Sequence, residues 1–299
     1  MKHTTLNLDK GERLRRPSGI RSLTLGDTKI SFVPDGVVTF DPLIWFPDTT
    51  DKDWAEKYSE YLDEAGRLVG SVGALLVERD GRALLIDAGA GPLTIDASQN
   101  PYGISLSGGK LLDSLAKLGR NPADIEAVAF THLHIDHIGW AWHPAPGTDQ
   151  PAFTNAKYLV SEPEWTQRHL AEMTGVSSDM LKAMEPRVQT IGDGEEIFPG
   201  VHAKFVPGHS TGHTTYVIKA GEKQVMAFGD IVHTLVQFEN PDLPTEVDHD
   251  REQSIKAHRT LIETLAEPDV IGYGDHFPDM VFGHIDNEEG KPVWRPIDA

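Results

Sequence analysis

The stretch Thr131-His132-Leu133-His134-Ile135-Asp136-His137 sets four metal-competent side chains within six residues, directly after the short apolar run 127–130. Imidazole nitrogens and carboxylate oxygens are the ligand types expected for zinc, and iron, manganese and cobalt accept the same set. The apolar run reads as a buried strand, so the ligands stand at a strand end, where a turn can fold them around one point and where binding residues concentrate. A tetrahedral catalytic ion takes three protein ligands and a water, yet this run alone offers four. The surplus points to two ions. A solvated, histidine-rich turn is the plain alternative.

Further candidates lie downstream. His209 in Pro207-Gly208-His209-Ser210, Asp230 in Phe228-Gly229-Asp230, and His276 in Gly274-Asp275-His276-Phe277 each follow an apolar, strand-like stretch. Each alone reads as an ordinary turn or core residue; with the first run they form a set.

The surrounding pattern is mixed. Apolar, β-branched stretches at 30–33, 72–77 and 83–86, split by turns such as Arg79-Asp80-Gly81, read as hairpin-connected strands. Leu111, Leu112, Leu115 and Leu118 fall at helical spacing. A Pro- and Gly-rich loop (144–151), a strand near 158–160 and a helix over about 162–173 follow, and this region is expected to overhang the site. The second half gives strands near 201–206, 214–218 and 225–228, a helix over about 250–265, and a strand at 270–271. Two strand-then-helix halves without a long linker imply one α/β domain over 1–299, a sandwich with helices outside. An N-terminal extension (about 1–28) precedes it, and region 40–66, with Trp45, Phe46 and Trp54, is expected to cover the site or to form a homodimer contact.

Composition excludes several classes. With 46 acidic against 27 basic residues and a net charge of −19, a nucleic-acid partner is disfavoured, since phosphate contacts rest on Lys and Arg. A small neutral or cationic substrate fits better. No cysteine is present, so there is no disulfide, thiolate ligand or cysteine nucleophile. Residues 1–16 lack the apolar core of a secretory signal, and no run of about 18 apolar residues occurs, so the expectation is a cytoplasmic protein with no membrane partner.

The motifs Thr131 to His137, Pro207-Gly208-His209, Gly229-Asp230 and His276, with Leu85-Ile86-Asp87-Ala88-Gly89 before them, resemble in order those of the metallo-β-lactamase superfamily, over about 31–278. That resemblance implies the four-layer αββα sandwich. It also implies that His132, His134 and His209 hold one Zn²⁺, that Asp136, His137 and His276 hold the other, and that Asp230 bridges them. The implied reaction is hydrolysis: two ions about 3.5–4 Å apart share a hydroxide that attacks a carbonyl or phosphoryl centre.

Within the superfamily, the missing cysteine disfavours the antibiotic-degrading branch. Gly229-Asp230-Ile231-Val232-His233, the segment 236–241, Asp248 and Asp250 look like the methyl parathion hydrolase-like branch, close to the N-acyl homoserine lactonases. Lactone, carboxylic ester and phosphotriester are the substrate classes this implies. Asp136 and His233 are the candidate catalytic residues. His233 stands where those lactonases often carry tyrosine, and it reads equally as a hydrogen-bond donor to substrate or as a structural histidine. His213 is expected to orient its loop, and Asp87 and Asp35 to accept hydrogen bonds from ligand imidazoles. Phe40, Trp45, Phe46, Trp140, Trp142 and Phe238 are candidates for an apolar pocket, with 40–61 and 144–154 as its loops. The alternatives are an iron-dependent oxidoreductase of the same fold, resembling the persulfide dioxygenases, and a glyoxalase II-like thioester hydrolase. No basic cluster suited to glutathione carboxylates is visible for the latter.

Overall fold

The computed structural model describes residues 10–298. The first nine residues of the expected extension, and that part of the signal-peptide reading, lie outside the described residues.

Nine strands build the first sheet: β1 (Arg21–Leu25), β2 (Thr28–Phe40), β3 (Leu68–Arg79), β4 (Arg82–Ile86), β5 (Thr94–Ile95), β6 (Ile104–Ser107), β7 (Ala127–Ala129), β8 (Lys157–Ser161) and β9 (Val188–Ile191). Their order is β5-β6-β2-β3-β4-β7-β8-β9, with β1 on β2. The second sheet runs in sequence order through β10 (Glu196–Phe198), β11 (Val201–Phe205), β12 (Thr214–Ala220), β13 (Lys223–Ala227), β14 (Val270–Tyr273), β15 (Phe282–Glu288) and β16 (Lys291–Pro296).

Strand β3 is buried on both faces, which is why it reads as a nearly continuous apolar run. Leu75 and Val77, with Leu84 and Ile86 of β4, face the core between the sheets, where Val201, Tyr216 and Ile218 meet them. Ala74, Leu76 and Leu85 face outward, under a layer containing helices Leu111–Lys117, Ile135–Trp142 and Ser178–Met184. Helix Arg251–Leu265 covers the second sheet with Ala257, Leu261 and Leu265, capped at its start by Asp250 accepting from the Gln253 N–H. The layers are therefore helix, sheet, sheet, helix, as the motifs imply.

Several sequence expectations need correction. The helix over 162–173 is broken: an α-helical turn, Glu162–Thr166, passes into a 3₁₀ segment, Arg168–Thr174, that ends at Gly175 with φ 94°. Only Glu164 and Ala171 of the two pieces are buried, so no continuous apolar stripe holds them as one helix. Strands β9, β10, β15 and β16 and helix Ser178–Met184 escape periodicity because they are short and half exposed. The later part of the expected N-terminal extension is no appendage, since β1 pairs antiparallel with β2. Region 40–66 folds into helices Pro42–Trp45 and Asp51–Glu56, each with a side-chain N-cap, and buries Trp45, Trp54, Tyr58 and Tyr61.

One ion-pair cluster fastens the chain start to the loop after His276. Arg16 and Arg21 both pair with the Asp279 carboxylate, and Arg13 Nε donates to the Asp279 carbonyl at 2.9 Å. Burial works against the charged carboxylate, but hydrogen bonds from Arg21 and Arg16 outweigh it and hold Asp279 below the usual range. A group depressed on folding contributes stability above its unfolded pKa of about 4 and loses it as pH falls through the folded value. Asp279→Asn is expected to cost about 2 kcal/mol at pH 7 and less at pH 3; chemical denaturation at both pH values checks it, and an equal cost at both would contradict the linkage.

Candidate metal centre

Every candidate ligand leaves a strand end on the same rim of the sandwich. His132, His134, Asp136 and His137 follow β7, with Ile135–Trp142 beginning inside the run rather than after it. His209 lies between β11 and β12, Asp230 follows β13, and His276 follows β14. A backbone bond from Thr214 N–H to the Thr131 carbonyl at 2.8 Å, and the Tyr216 hydroxyl on the Phe130 carbonyl at 2.8 Å, join the two sheets there.

The structure brings all seven side chains together, as His132, His134, His209 and Asp230 in one group and Asp136, His137 and His276 in the other. His209 Nε2 lies 3.1 Å from His134 Nδ1, and His137 Nε2 lies 3.3 Å from His276 Nε2. Tetrahedral zinc with bonds of about 2.0–2.1 Å would set its nitrogens about 3.3 Å apart, so these spacings fit a shared ion. Asp230 sits between the groups. Its Oδ2 is 3.5 Å from His209 Nε2 and 3.3 Å from His276 Nε2, and its Oδ1 is 3.4 Å from His137 Nε2. Asp136 Oδ2 is 3.4 Å from His276 Nε2.

Ring orientation of three of the imidazoles follows from their second nitrogen. His137 Nδ1 meets Asp87 Oδ2 at 3.0 Å, His209 Nδ1 meets Asp248 Oδ1 at 2.9 Å, and His276 Nδ1 meets the Ser71 carbonyl at 3.0 Å. With Nδ1 donating, Nε2 keeps its lone pair and points inward. His132 Nε2 and Asp230 Oδ1 are buried without a hydrogen-bond partner, an expensive arrangement unless a cation lies between them. Burial pushes His132 and His134 well below the ordinary imidazole range, which keeps them neutral. Burial acts the same way at His137 and His276, but Asp230, Asp87 and Asp136 outweigh it at the first, and Asp230 and Asp136 push the second up to about 10. Such a field of carboxylates favours a bound cation.

Asp87 takes a positive φ of 61°, and its carboxylate also accepts from the Thr131 N–H at 2.8 Å and the Thr131 hydroxyl at 2.9 Å. Backbone strain of that kind recurs at functional sites. His213, pushed down to about 3 chiefly by burial, accepts the Asp230 N–H at Nε2 (3.0 Å), so it positions the Asp230 backbone. Asp35 does not touch a ligand imidazole, contrary to the sequence reading. It accepts from the N–H groups of Ala90, Gly91, Gly109 and Leu111 and from Trp140 Nε1, because the bulge in β2 between Pro34 and Gly36 aims it at those loops.

His233 is buried in the cavity wall, with Nε2 3.1 Å from Asp230 Oδ2, its ring parallel to that of His276 and edge-on to Trp45. The cavity over the centre measures about 250 Å³. Of the aromatic candidates, Phe40 and Trp45 line it. Trp140 and Phe238 are core residues, Phe46 packs on Trp54, and Trp142 packs on His143. Loop 144–154 does not reach the cavity and buries Ala152 and Phe153 in the outer core. Its place is taken by Ile95, Tyr102, Ile104, Leu106 and Met173, which adjoin the site through strands β5 and β6, the turn before β6 and the 3₁₀ segment.

Glu164 also escaped sequence reading. Its buried carboxylate accepts from the Leu133 N–H at 3.1 Å, the Ser210 hydroxyl at 2.8 Å and the Gly212 N–H at 2.8 Å, tying the loop of His132 and His134 to that of His209. No local signal marks it, because its partners lie 31 to 48 residues away.

Comparison with known proteins places these features in context. Residues 67–268 match the family model described as the metallo-beta-lactamase superfamily. The chain is 27% identical over 190 residues to an N-acyl homoserine lactonase of a Bacillus species, across 62% of this chain and 66% of that protein. It is 28% identical over 185 residues to the N-acyl homoserine lactonase AttM of Agrobacterium fabrum, across 56% of this chain and 64% of that protein. The chain thus spans just under two thirds of the length of these relatives. Among solved structures, AidC, a dizinc quorum-quenching lactonase in complex with a homoserine product, superposes with a TM-score of 0.79 at 20% identity, covering 94% of this chain and 98% of its own. The hydrolase AbOPH of the beta lactamase superfamily gives 0.75 at 25% identity, with the same coverages of 94% and 98%.

Proposed function

This chain belongs to the metallo-beta-lactamase superfamily, and from that premise we propose that it is a dinuclear metal-dependent hydrolase acting on a lactone, carboxylic ester or phosphotriester. The observation that carries the reading is the convergence of seven metal-competent side chains in two groups around Asp230. His132, His134 and His209 would hold one ion, Asp136, His137 and His276 the other, and Asp230 would serve both. Zinc suits this nitrogen and oxygen set. Two such ions, when bound, polarise a carbonyl or phosphoryl oxygen and bring a water's pKa near neutrality.

The chain's own residues do the rest. Phe40, Trp45, Ile104 and Leu106 form an apolar wall that holds the substrate's hydrocarbon part and excludes water. Burial keeps the His233 imidazole below its ordinary range. A neutral imidazole in the cavity wall has one N–H to offer a substrate oxygen, and Trp45 and Phe40 against its edges hold the ring in place. Lactones are the favoured class, because the matched relatives from Bacillus and Agrobacterium fabrum are N-acyl homoserine lactonases.

The test is purified protein of measured metal content, assayed on an acyl-homoserine lactone, an aryl ester and an aryl phosphotriester, with and without chelator. Chelator-sensitive turnover of at least one is expected. Turnover of none, or one iron per chain with oxygen consumption, would refute the hydrolase reading and favour the oxidoreductase one.

Glu164 gives a finer check on the pairing of ligands. Glu164→Gln puts an amide N–H against a donor that now meets carboxylate oxygen. The ion at His132, His134 and His209 is expected to bind roughly 10- to 100-fold more weakly, the other ion less than threefold. Competition against a colorimetric chelator reads both steps, and an equal loss at both would mean that Glu164 supports the fold rather than one ion.

A further inference from the structure

His276 differs from His137 and His209 in how its ring is held. Those two are oriented by the side-chain carboxylates of Asp87 and Asp248, whereas the acceptor for His276 Nδ1 is the main-chain carbonyl of Ser71 at 3.0 Å. A main-chain carbonyl has no rotamer of its own, so the place of that ring depends on whatever fixes the backbone at Ser71. In β3, Ser71 pairs with Val37 of β2, but β4 joins β3 only from Leu75 onward. The edge left open at Ser71 is taken by the loop of His276 itself. Ser71 N–H and Oγ both donate to the Phe277 carbonyl, at 3.2 and 2.7 Å. A Cβ at Gly70 would stand 2.6 Å from the His276 carbonyl oxygen, so the two backbones are in direct contact.

Ser71 has one more partner. Its Oγ accepts the Ser18 N–H at 2.8 Å, and both serines are buried. Ser18 belongs to the segment 13–21, which grips the far end of the same loop. The Asp279 N–H donates to the carbonyls of Arg13 and Arg16 at 3.2 and 3.0 Å, and Pro17 bridges to Pro278. Arg16 Nε and Arg21 Nε donate to the Asp279 carboxylate at 3.0 and 3.1 Å. Among the described residues, none of 13–21 lines the cavity over the centre. The segment reaches the centre through Ser71 and residues 277–279.

We propose that Ser71 is a positioning residue for His276, and that segment 13–21, docked on Ser71 and Asp279, sets the affinity of the ion at Asp136, His137 and His276 without touching it. The inference rests on the two-ion reading of the centre. Docking of the segment and binding of that ion then favour each other by one and the same factor. The ion at His132, His134 and His209 has separate supports in Asp248 and Glu164 and is independent of the segment.

Two full-length variants, Ser71→Ala and Asp279→Asn, break the docking from opposite sides, and neither residue is a candidate ligand or lines the cavity. Each is expected to weaken the ion at Asp136, His137 and His276 about tenfold and the other ion less than threefold. Zinc competition against a colorimetric chelator reads the two steps, and the imidazole resonances of His276 and His209 assign each step to its ion. Should Ser71→Ala fail to fold, Asp279→Asn carries the same reading. The reciprocal effect is sought in the wild type, where filling the His276 site should slow hydrogen exchange at the Ser18 amide about tenfold. An equal loss at both ions, or a Ser18 amide indifferent to metal, would make Ser71 and segment 13–21 mere supports of the fold and overturn the inference, while the hydrolase reading stands. Fewer than two ions per wild-type chain at saturating zinc would overturn both.

Discussion

Asp230→Asn is expected to lower kcat/KM by roughly three orders of magnitude, about 4 kcal/mol of transition-state stabilisation. Among the described residues, Asp230 is the one carboxylate within 3.5 Å of imidazole nitrogens from both candidate groups, at His209, His137 and His276. The amide keeps the shape and the backbone bond to His213 but removes the charge that four surrounding histidines share. An amide oxygen is also a weaker ligand than a carboxylate, so the metal content should fall below two per chain. Elemental analysis and steady-state kinetics on the same preparation check both halves. Two tightly held ions with activity within tenfold of wild type would remove Asp230 from the centre.

The second large effect concerns Gly139, which touches no ligand. It lies in helix Ile135–Trp142, one turn past Asp136, where the helix rests directly on the backbone of the loop after β4. A Cβ there would stand 1.9 Å from the Ala90 carbonyl carbon and 2.2 Å from Gly91 N, both backbone atoms that cannot rotate away. The contact is held by Gly139 N–H on the Gly89 carbonyl at 2.7 Å and Ala88 N–H on the His137 carbonyl at 2.7 Å. Gly139→Ala must push helix and loop apart, at an expected cost of about 3 kcal/mol or more. For a chain of this size that is a drop in Tm of roughly 5 °C. The same loop carries Asp87, which orients His137. The ion at Asp136, His137 and His276 should therefore be lost before the other. Differential scanning calorimetry with stepwise metal titration reads this, and a Tm within about 2 °C of wild type would show that the loop yields without cost.

Both effects bear on the centre that one short stretch begins. In residues 131–137 the ligands are close in sequence because a single strand end and helix start deliver them, so the pattern survives in the one-dimensional chain. His209, Asp230 and His276 were legible for a related reason: each follows an apolar strand by three or four residues and lies one or two residues past a glycine, and local composition records both. The layered fold followed from strands β3, β4, β12 and β13, which read as apolar runs, and from helix Arg251–Leu265, whose buried residues repeat at helical spacing. Short, half-exposed strands such as β9 and β10 have no such face to repeat, and they were missed.

What lay beyond sequence reading is the environment of the ligands. Glu164 and Asp35 carry the same side-chain chemistry as many surface acids, yet one ties two candidate-ligand loops together and the other braces two loops without a hydrogen bond to any candidate ligand imidazole. Trp45 and Trp140 look alike in sequence, but one lines the cavity and the other lies in the core. The candidate ligand set and the layer order were carried by the chain's local pattern, because coordination chemistry and hydrophobic periodicity act within a few residues. Tertiary packing decided which carboxylate orients which histidine and which aromatics reach the cavity, because those contacts join residues tens of positions apart whose spacing leaves no periodic trace.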